Sequence, residues 1–460
     1  TMAEYNFSVE KALIQLLDDK KYHSLRDILC TMNPADIAAV FDELNEARLP
    51  LLFRLLPKEL AAETFVEMEP EAQELLIRGF SDSELKEVID ELYVDDAVDI
   101  VEEMPANVVQ RILSQAEPEM RKQINEILRY PEDSAGSIMT TEYVSLRPNM
   151  TVGEAILRIR RTGIDKETIY TCYVTRGHKL IGMVTVKTLL LCEDDDTLIE
   201  DIMQEHVITV NTTDDQEVVA QMFSKYDFLA LPVVDTENRL VGIVTFDDAW
   251  DVMEDEATED MEKMAAMLPS EHPYMRSTPV EIWKNRIPWL LLLMISATLT
   301  GLVISHFETA LGVLPCLTAF IPMLMDTGGN AGSQACVSII RGISLNEIEF
   351  RDLFRVVWKE IRVAVLCGVC LAAACFAKVM LVDHLLMHNE SVTSTVALVV
   401  CISMALTVFM AKLVGSTLPL LAKKIGFDPA VMASPIITTI VDFLSLLVYF
   451  AFATALLRIG

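Results

Sequence analysis

Asp442 lies inside an apolar stretch, 430–457, that is long enough to cross a bilayer. A charge at the bilayer centre costs on the order of 3 kcal/mol, so an acid there marks an ion path unless a partner neutralises it. Ser434, Pro435, Thr438, Thr439, Asp442 and Ser445 recur at steps of three and four, which makes one polar stripe on a helix. The chemistry open to such a stripe is a wet wall facing a cation. The alternatives are hydrogen bonding between packed helices, or neutralisation of Asp442 by Lys378 or Lys412. A second segment, Pro322 to Gln334, holds Asp326, Gly328, Gly329, Asn330 and Gly332. Three glycines in five positions weaken a helix by roughly 1 kcal/mol each. The expectation is non-helical backbone lining a water-filled cavity, with free carbonyls suited to a hydrated cation. Close helix packing at the glycines is the alternative.

A different acidic chemistry stands at 245–260, where eight of 16 residues are Asp or Glu. On a helix, Asp248, Asp251, Asp255 and Glu259 stack on one face and oppose one another by roughly 0.2–0.5 kcal/mol per pair. A solvated helix face is one reading. The other is a sink for a hard divalent cation, which takes oxygen ligands and, for magnesium, keeps several waters.

The elements that position these residues divide the chain. It has 460 residues and a net charge of -31. Residues 1–274 carry 57 acids against 24 bases, while 275–460 carry 11 against 13. An acidic, water-facing half precedes an apolar one. Such an acidic surface excludes nucleic-acid binding, and its periodic Leu, Ile and Val exclude disorder. Nine Cys, five of them from Cys336 onward, make no disulfide framework. Cys367 and Cys370 read as small packing residues. The seven His lack metal-ligand spacing, and no phosphate-binding glycine loop or nucleophile elbow occurs, so no catalytic residues and no enzyme are expected. Glu4 to Asp19 is polar and helix-patterned, so no signal peptide is expected.

Five spans are expected, near 288–307, 314–340, 361–387, 394–421 and 430–457. Arg276, Lys284 and Arg286 precede the first. Arg341, Arg351, Arg355, Lys359 and Arg362 follow the second, and Lys423 and Lys424 follow the fourth. The joints near His306–Gly312 and His388–Ser391 have no Lys or Arg. The positive-inside rule puts the N-terminal half in the cytosol and, with five spans, the C-terminus outside.

Residues 1–132 read as all-helical. Ala35–Leu44, Glu59–Met68 and Ser83–Leu92 align at a step of 24, and Asp95–Met104 follows, which suggests a superhelix of stacked helices. A second repeat follows. Ile138-Met139 recurs as Ile202-Met203, and Leu180 to Thr185 recurs as Leu240 to Thr245. Each unit reads as strand, helix, two strands and a turn. This resembles a tandem pair of CBS modules, which act as regulatory ligand sensors.

The whole chain resembles the MgtE family of magnesium channels. The likeness is carried by Tyr130 to Met139, by both CBS modules, by Arg286-Ile287-Pro288-Trp289-Leu290, by Gly328 to Gln334, and by Asp428-Pro429-Ala430 with Thr438 to Asp442. It implies a multidomain membrane protein: a helical-repeat domain (1–132), two α/β CBS modules (133–199 and 200–262), a connecting helix and linker (247–285), and a five-helix transmembrane domain (286–460). It implies a homodimer in a bacterial plasma membrane, with one pore on its twofold axis. Asp442 would hold hydrated magnesium there, with Gly328, Asn330 and Thr438 as neighbours, Asp428 near the cytosolic mouth and Glu308 near the outer one. The cytosolic magnesium sensors it implies are Glu63, Asp95, Asp99, Glu217, Asp227, Asp248, Asp251, Glu256, Glu259 and Asp260. It further implies an ATP site at Tyr170 and Lys187. The first module carries Thr185-Val186-Lys187-Thr188 without the ribose-binding Asp that such sites often have; the second has Thr245-Phe246-Asp247-Asp248.

Magnesium would then be both substrate and regulator of an inward channel that cytosolic magnesium closes. Competing readings are a transporter of cobalt, nickel or manganese, a membrane-anchored CBS regulator, and a CBS-gated anion channel. Asp442 without a basic ring opposes the anion channel. Missing intramembrane His or Cys clusters oppose selection for soft metals.

Overall fold

The computed structural model describes residues 11–42, 44, 47–270, 274–275, 277–388, 391–432 and 434–457. Outside them lie the start of the polar Glu4–Asp19 stretch, Arg276 of the flanking charge set, and part of the His388–Ser391 joint; of Ser434 only the backbone is described. The chain forms two compact units, Thr1–Met253 and Glu254–Gly460.

The first unit opens with short helices: α1 (Tyr22–Leu29), α2 (Pro34–Asp42), α3 (Leu49–Phe53), α4 (Lys58–Val66), α5 (Pro70–Gly79), α6 (Asp82–Ile89), α7 (Val94–Glu103), α8 (Ala106–Gln115) and α9 (Pro118–Ile127). Punctuation sets their lengths. Pro70 and Pro118 sit in first turns, where proline's missing N–H costs nothing. Ser81 and Glu84 close a capping box on α6. Helices pack alternately, α2 on α4, α4 on α6 and α6 on α8. Leu25, Phe41, Leu52, Phe65 and Leu76 are fully buried in one continuous core.

Two three-stranded sheets follow. In the first, β1 (Tyr143–Leu146) runs parallel to β2 (Thr168–Arg176), which is antiparallel to β3 (Lys179–Thr185). In the second, β4 (Val210–Asn211), β5 (Ala230–Val234) and β6 (Leu240–Thr245) repeat that order. Helices α10 (Val152–Thr162), α11 (Val186–Leu191), α12 (Ile199–Ile202) and α13 (Gln216–Tyr226) complete the modules. The modules exchange their leading segments. Met203, in the leading segment of the second module, packs over Gly182 in the first sheet, where an added Cβ would lie 2.7 Å from its sulfur. Met139, in the leading segment of the first, packs over Gly242 in the second sheet at the same distance. This is why the Ile-Met pair and the strand glycine recur together. A seam of Tyr173, Leu180, Val234, Leu240 and Ile243 joins the sheets.

Helix α14 (Phe246–Met264) starts directly after β6, and its first residues belong to the first unit. The second unit continues with α15 (Pro279–Ser296), α16 (Thr298–His306), α17 (Glu308–Val313), α18 (Ile321–Ser344), α19 (Leu353–Lys378), α20 (Ser394–Ile425) and α21 (Ser434–Leu457). Among the described residues, four segments are long and apolar enough to cross a membrane: Pro279–His306, Phe350–Leu386, Ser394–Ile425 and Ala430–Leu457. The expected second span is α18. Its 24 residues suffice in length, but its Gly, Asp, Asn and Ser keep it out of that apolar group. It packs along both α20 and α21. The first expected span begins earlier than read, at Pro279.

Candidate metal centre

In the first unit, acids from four separate elements converge. Asp95, Asp96 and Asp99 lie on α7. Glu142 precedes β1, Glu167 precedes β2, and Asp247 and Asp248 open α14. One carboxylate oxygen each from Asp95, Glu142 and Glu167 lies within 4.8 Å of the others. Glu142 accepts a hydrogen bond from the Val94 N–H at 3.2 Å, which ties the loop before β1 to the start of α7. Asp248 Oδ2 accepts from the Thr245 hydroxyl at 2.5 Å, a helix-start contact that turns this acid inward. Asp95 Oδ1 and Glu167 Oε2 are buried without a hydrogen-bond partner.

Burying carboxylates together disfavours their charged forms. Burial first, then the neighbouring acids, pushes Asp95 and Asp248 up to about 7, Asp96 also to about 7, and Asp99 to about 8. Glu167 is pushed up to about 9, again by burial first and then by Asp95, Asp96, Asp247 and Asp248. The cluster holds protons or a cation at neutral pH. An all-oxygen donor set suits a hard divalent ion. Magnesium binds at about 2.1 Å and so spans at most about 4.2 Å between opposite ligands. Oxygens within 4.8 Å of one another have room for such an ion, directly bound or with water between itself and some carboxylates.

Asp95, Asp99 and Asp248 are thus brought together as expected acids. Asp96, Glu142, Glu167 and Asp247 complete the cluster without having been singled out. Asp247 stood in the acidic run. Glu142 and Glu167 are isolated loop acids with no period to mark them. Glu63 is exposed on α4, Asp251 is exposed on α14, and Glu217 accepts from Gln221 at 3.0 Å. Asp227 caps α13 in the left-handed conformation and lines a cavity of about 690 Å³ together with Tyr170 and Lys187. Thr188, where a ribose-binding Asp is absent, bonds Thr185 at 2.9 Å.

The acids read as one stacked face of α14 meet different fates. Asp248 turns into the cluster, while Asp251 and Asp255 are exposed. Within the second unit, the last turns of α14 carry Glu256, Glu259, Asp260 and Lys263. Lys263 Nζ lies 2.6 Å from Glu259 and 2.8 Å from Asp428, and Asp260 accepts from Ser344 at 3.2 Å. Burial first, then the charge of Asp428, raises the Asp260 pKa, against the lowering effect of the Ser344 hydrogen bond. Glu308, the first residue of α17, is exposed.

The glycine segment differs from expectation. Helix α18 is continuous from Ile321 to Ser344, with no unwound carbonyls. Tertiary packing overrides the weak propensity. A Cβ on Gly328 would lie 2.6 Å from a Thr407 methyl group, and one on Gly415 of α20 would overlap the Gly332 carbonyl. The glycines let three helices close on one another. Asp326 and Asn330 remain on the exposed face of α18. On α21, Pro435, Thr438, Thr439 and Asp442 are half-buried, but Ser445 is not part of that wall: it is buried and donates to the Val441 carbonyl at 2.6 Å. The Thr438 methyl packs against Gly329, while its hydroxyl donates to Pro435 at 2.9 Å. Lys378 pairs with Asp383 at 2.8 Å and Lys412 lies 3.9 Å from Glu360, so neither neutralises Asp442.

Long apolar helices joined to a CBS pair and an acidic helical domain define the class of CBS-bearing membrane transporters. Comparison with known proteins agrees. The MgtE intracellular N domain profile matches residues 32–133, the CBS domain profile matches 135–193 and 199–249, and a divalent cation transporter profile matches 321–452. Magnesium transporter MgtE of Thermus thermophilus is 37% identical over 452 residues, covering 97% of this chain and 98% of that protein. Magnesium transporter MgtE of Bacillus subtilis is 32% identical, covering 97% of each. Two solved structures resemble the cytosolic part. The cytosolic domain of the Mg2+ channel MgtE in complex with ATP is 38% identical with a TM-score of 0.50, covering 53% of this chain and 99% of that one. The soluble part of a magnesium transporter is 34% identical with a TM-score of 0.51, covering 55% and 99%. The chain belongs to the MgtE magnesium transporter family, whose members are named as transporters and not as enzymes.

Proposed function

We propose that this protein is an inward magnesium channel of the bacterial plasma membrane that cytosolic magnesium closes. The observation that carries the regulatory half is the cluster of Asp95, Glu142 and Glu167, whose oxygens lie within 4.8 Å while two buried oxygens have no donor. At low magnesium these acids repel, and the acidic domains separate. At high magnesium, ions bridge them and the compact state wins. Several modest couplings add toward the roughly 5.5 kcal/mol that inverts a 1:99 equilibrium. Glu63, Asp99, Glu217, Asp227, Asp248 and Asp251 would hold further ions. Helix α14 carries the response to its last turns, where Glu256, Glu259 and Asp260 would act near Asp428 at the cytosolic mouth.

In the conducting half, Asp442 would hold hydrated magnesium on the twofold axis of a homodimer, with Asn330, Gly328 and Thr438 around it and Glu308 at the outer mouth. Five spans, counting α18, keep the N-terminus in the cytosol and the C-terminus outside. The domains run 1–132, 133–199, 200–262, 247–285 and 286–460. The stacking of the short helices is a superhelix. Tyr170 and Lys187 would contact ATP in their cavity, an assignment supported by the ATP complex of the cytosolic relative and opposed by Thr188.

Neutralising Asp248, Asp251 and Glu259 together should leave uptake running at high internal magnesium. Normal closure of that triple variant would sink the sensor reading. Transport of cobalt, nickel or manganese is the second reading, since a site built for a hydrated ion admits other hydrated divalents. Competition between these ions during uptake separates the two. Saturable ATP binding to the full-length protein, lost on Lys187→Ala, would support the nucleotide assignment; its absence would remove it.

A further inference from the structure

A second cavity in the first unit has the opposite charge. It encloses about 650 Å³ between the end of β1, the β2–β3 turn and α10, and its walls carry Arg147, Arg158, Arg176, His178 and Glu200. Such a volume suits a small molecule. Arg176 lies 3.8 Å from Glu200. Among the described residues, no carboxylate pairs with Arg147 or Arg158. The floor adds the Ser145 and Thr175 hydroxyls, 3.0 Å apart.

The internal repeat provides a control for what the fold itself requires. Leu146 pairs with Val174 and Val174 with Gly182; in the second module Val210 pairs with Val233 and Val233 with Gly242. Thr151 and Asp215 are the matching helix caps. This register matches Arg147, Arg158, Arg176 and His178 with Asn211, Met222, Asp235 and Asn238. The same scaffold is therefore built without any of the four basic side chains. Three arginines are gathered in one cavity of a region that carries 57 acids against 24 bases; Glu200 answers Arg176 alone, and nothing in the protein answers Arg147 or Arg158 among the described residues. An anion in the cavity would. Arginine's planar fork matches phosphate oxygens two at a time.

We propose that this cavity binds a small anion bearing phosphate groups, with Arg147, Arg158 and Arg176 as its ligands and the hydroxyls of Ser145 and Thr175 as further donors. The site is separate from the acidic cluster and from the Tyr170–Lys187 cavity, and it does not depend on the magnesium reading. Its occupant would make the sensor responsive to a phosphorylated metabolite as well as to a cation.

The test is calorimetric titration of inorganic pyrophosphate into the full-length protein in detergent, in magnesium-free buffer with a chelator. The native chain should bind saturably at one site per chain. Arg147→Gln with Arg158→Gln should weaken binding at least tenfold, and Arg147→Lys with Arg158→Lys should weaken it less. Arg121→Gln with Arg129→Gln, which removes the same charge from exposed positions outside the cavity, should leave binding unchanged. Coincident melting curves establish that the variants are folded. No saturable binding by the native chain would overturn the proposal, as would equal weakening by the cavity and control pairs, or binding indifferent to Arg147 and Arg158.

Discussion

Asp95 on α7 and Glu167 ahead of β2 approach one another with carboxylate oxygens within 4.8 Å, and each keeps one buried oxygen without a donor. Their pKa values rise to about 7 and about 9, chiefly through burial. A carboxylate with a raised folded pKa binds more protons folded than unfolded. Stability is then present below the unfolded pKa of about 4 and is lost as pH rises toward the folded value. The metal-free protein should therefore melt at progressively lower temperature between about pH 5 and pH 8. Magnesium should oppose that loss, most strongly at the higher pH, where it no longer competes with protons. Melting curves with and without magnesium across this range check the prediction. A metal-free Tm that rises with pH contradicts it.

Removing the charge should separate repulsion from metal binding. Asp95→Asn with Glu167→Gln relieves burial and like-charge costs, so at pH 8 without magnesium the variant should melt several degrees higher than the native chain. For a unit the size of Thr1–Met253, about 1 kcal/mol corresponds to roughly 2–4 °C. The same variant should gain less from added magnesium. Thermal scans of the two proteins, with and without the ion, read both effects.

The candidate acids differ in how far the sequence discloses them. Asp442 and the run at 245–260 declare themselves, because one interrupts an apolar stretch and the other is dense and local. Glu142 and Glu167 do not, because only the tertiary fold carries two solitary loop acids to α7. The glycines of α18 mislead for a related reason. Propensity describes an isolated helix, whereas Gly328 and Gly332 sit where α20 and α21 leave no room for a side chain. The CBS repeat is legible as a repeat, yet the crossing of Met139 and Met203 onto each other's sheets is not, since strand pairing between modules leaves no mark in spacing.

That packing predicts a steep cost at Gly415, whose Cβ would overlap the Gly332 carbonyl. Gly415→Val should destabilise the protein in detergent by about 1–3 kcal/mol, the usual cost of overpacking. Gly301→Ala, which has open space around it, should be tolerated. Thermal stability by size-exclusion chromatography compares them.

Lys263 joins Glu259 to Asp428, with both pairs under 3 Å and partly shielded. Lys263→Met leaves those acids and Asp260 without their shared cation and should loosen the end of α14. An exposed or half-buried pair contributes about 1 kcal/mol at most, which is a factor of about 5 in an equilibrium. Uptake at high internal magnesium should rise by up to that factor, and Lys263→Arg should restore the native response. Flux measured in vesicles of each variant reads it.

The most direct test is magnesium uptake into proteoliposomes, for the native protein and for Asp442→Asn, with internal magnesium varied. Uptake should fall in the native protein as internal magnesium rises and vanish in the variant at every internal concentration. Uptake that is unaffected by Asp442→Asn would contradict the account, because the polar face of α21 would then be packing and the ion path would lie elsewhere.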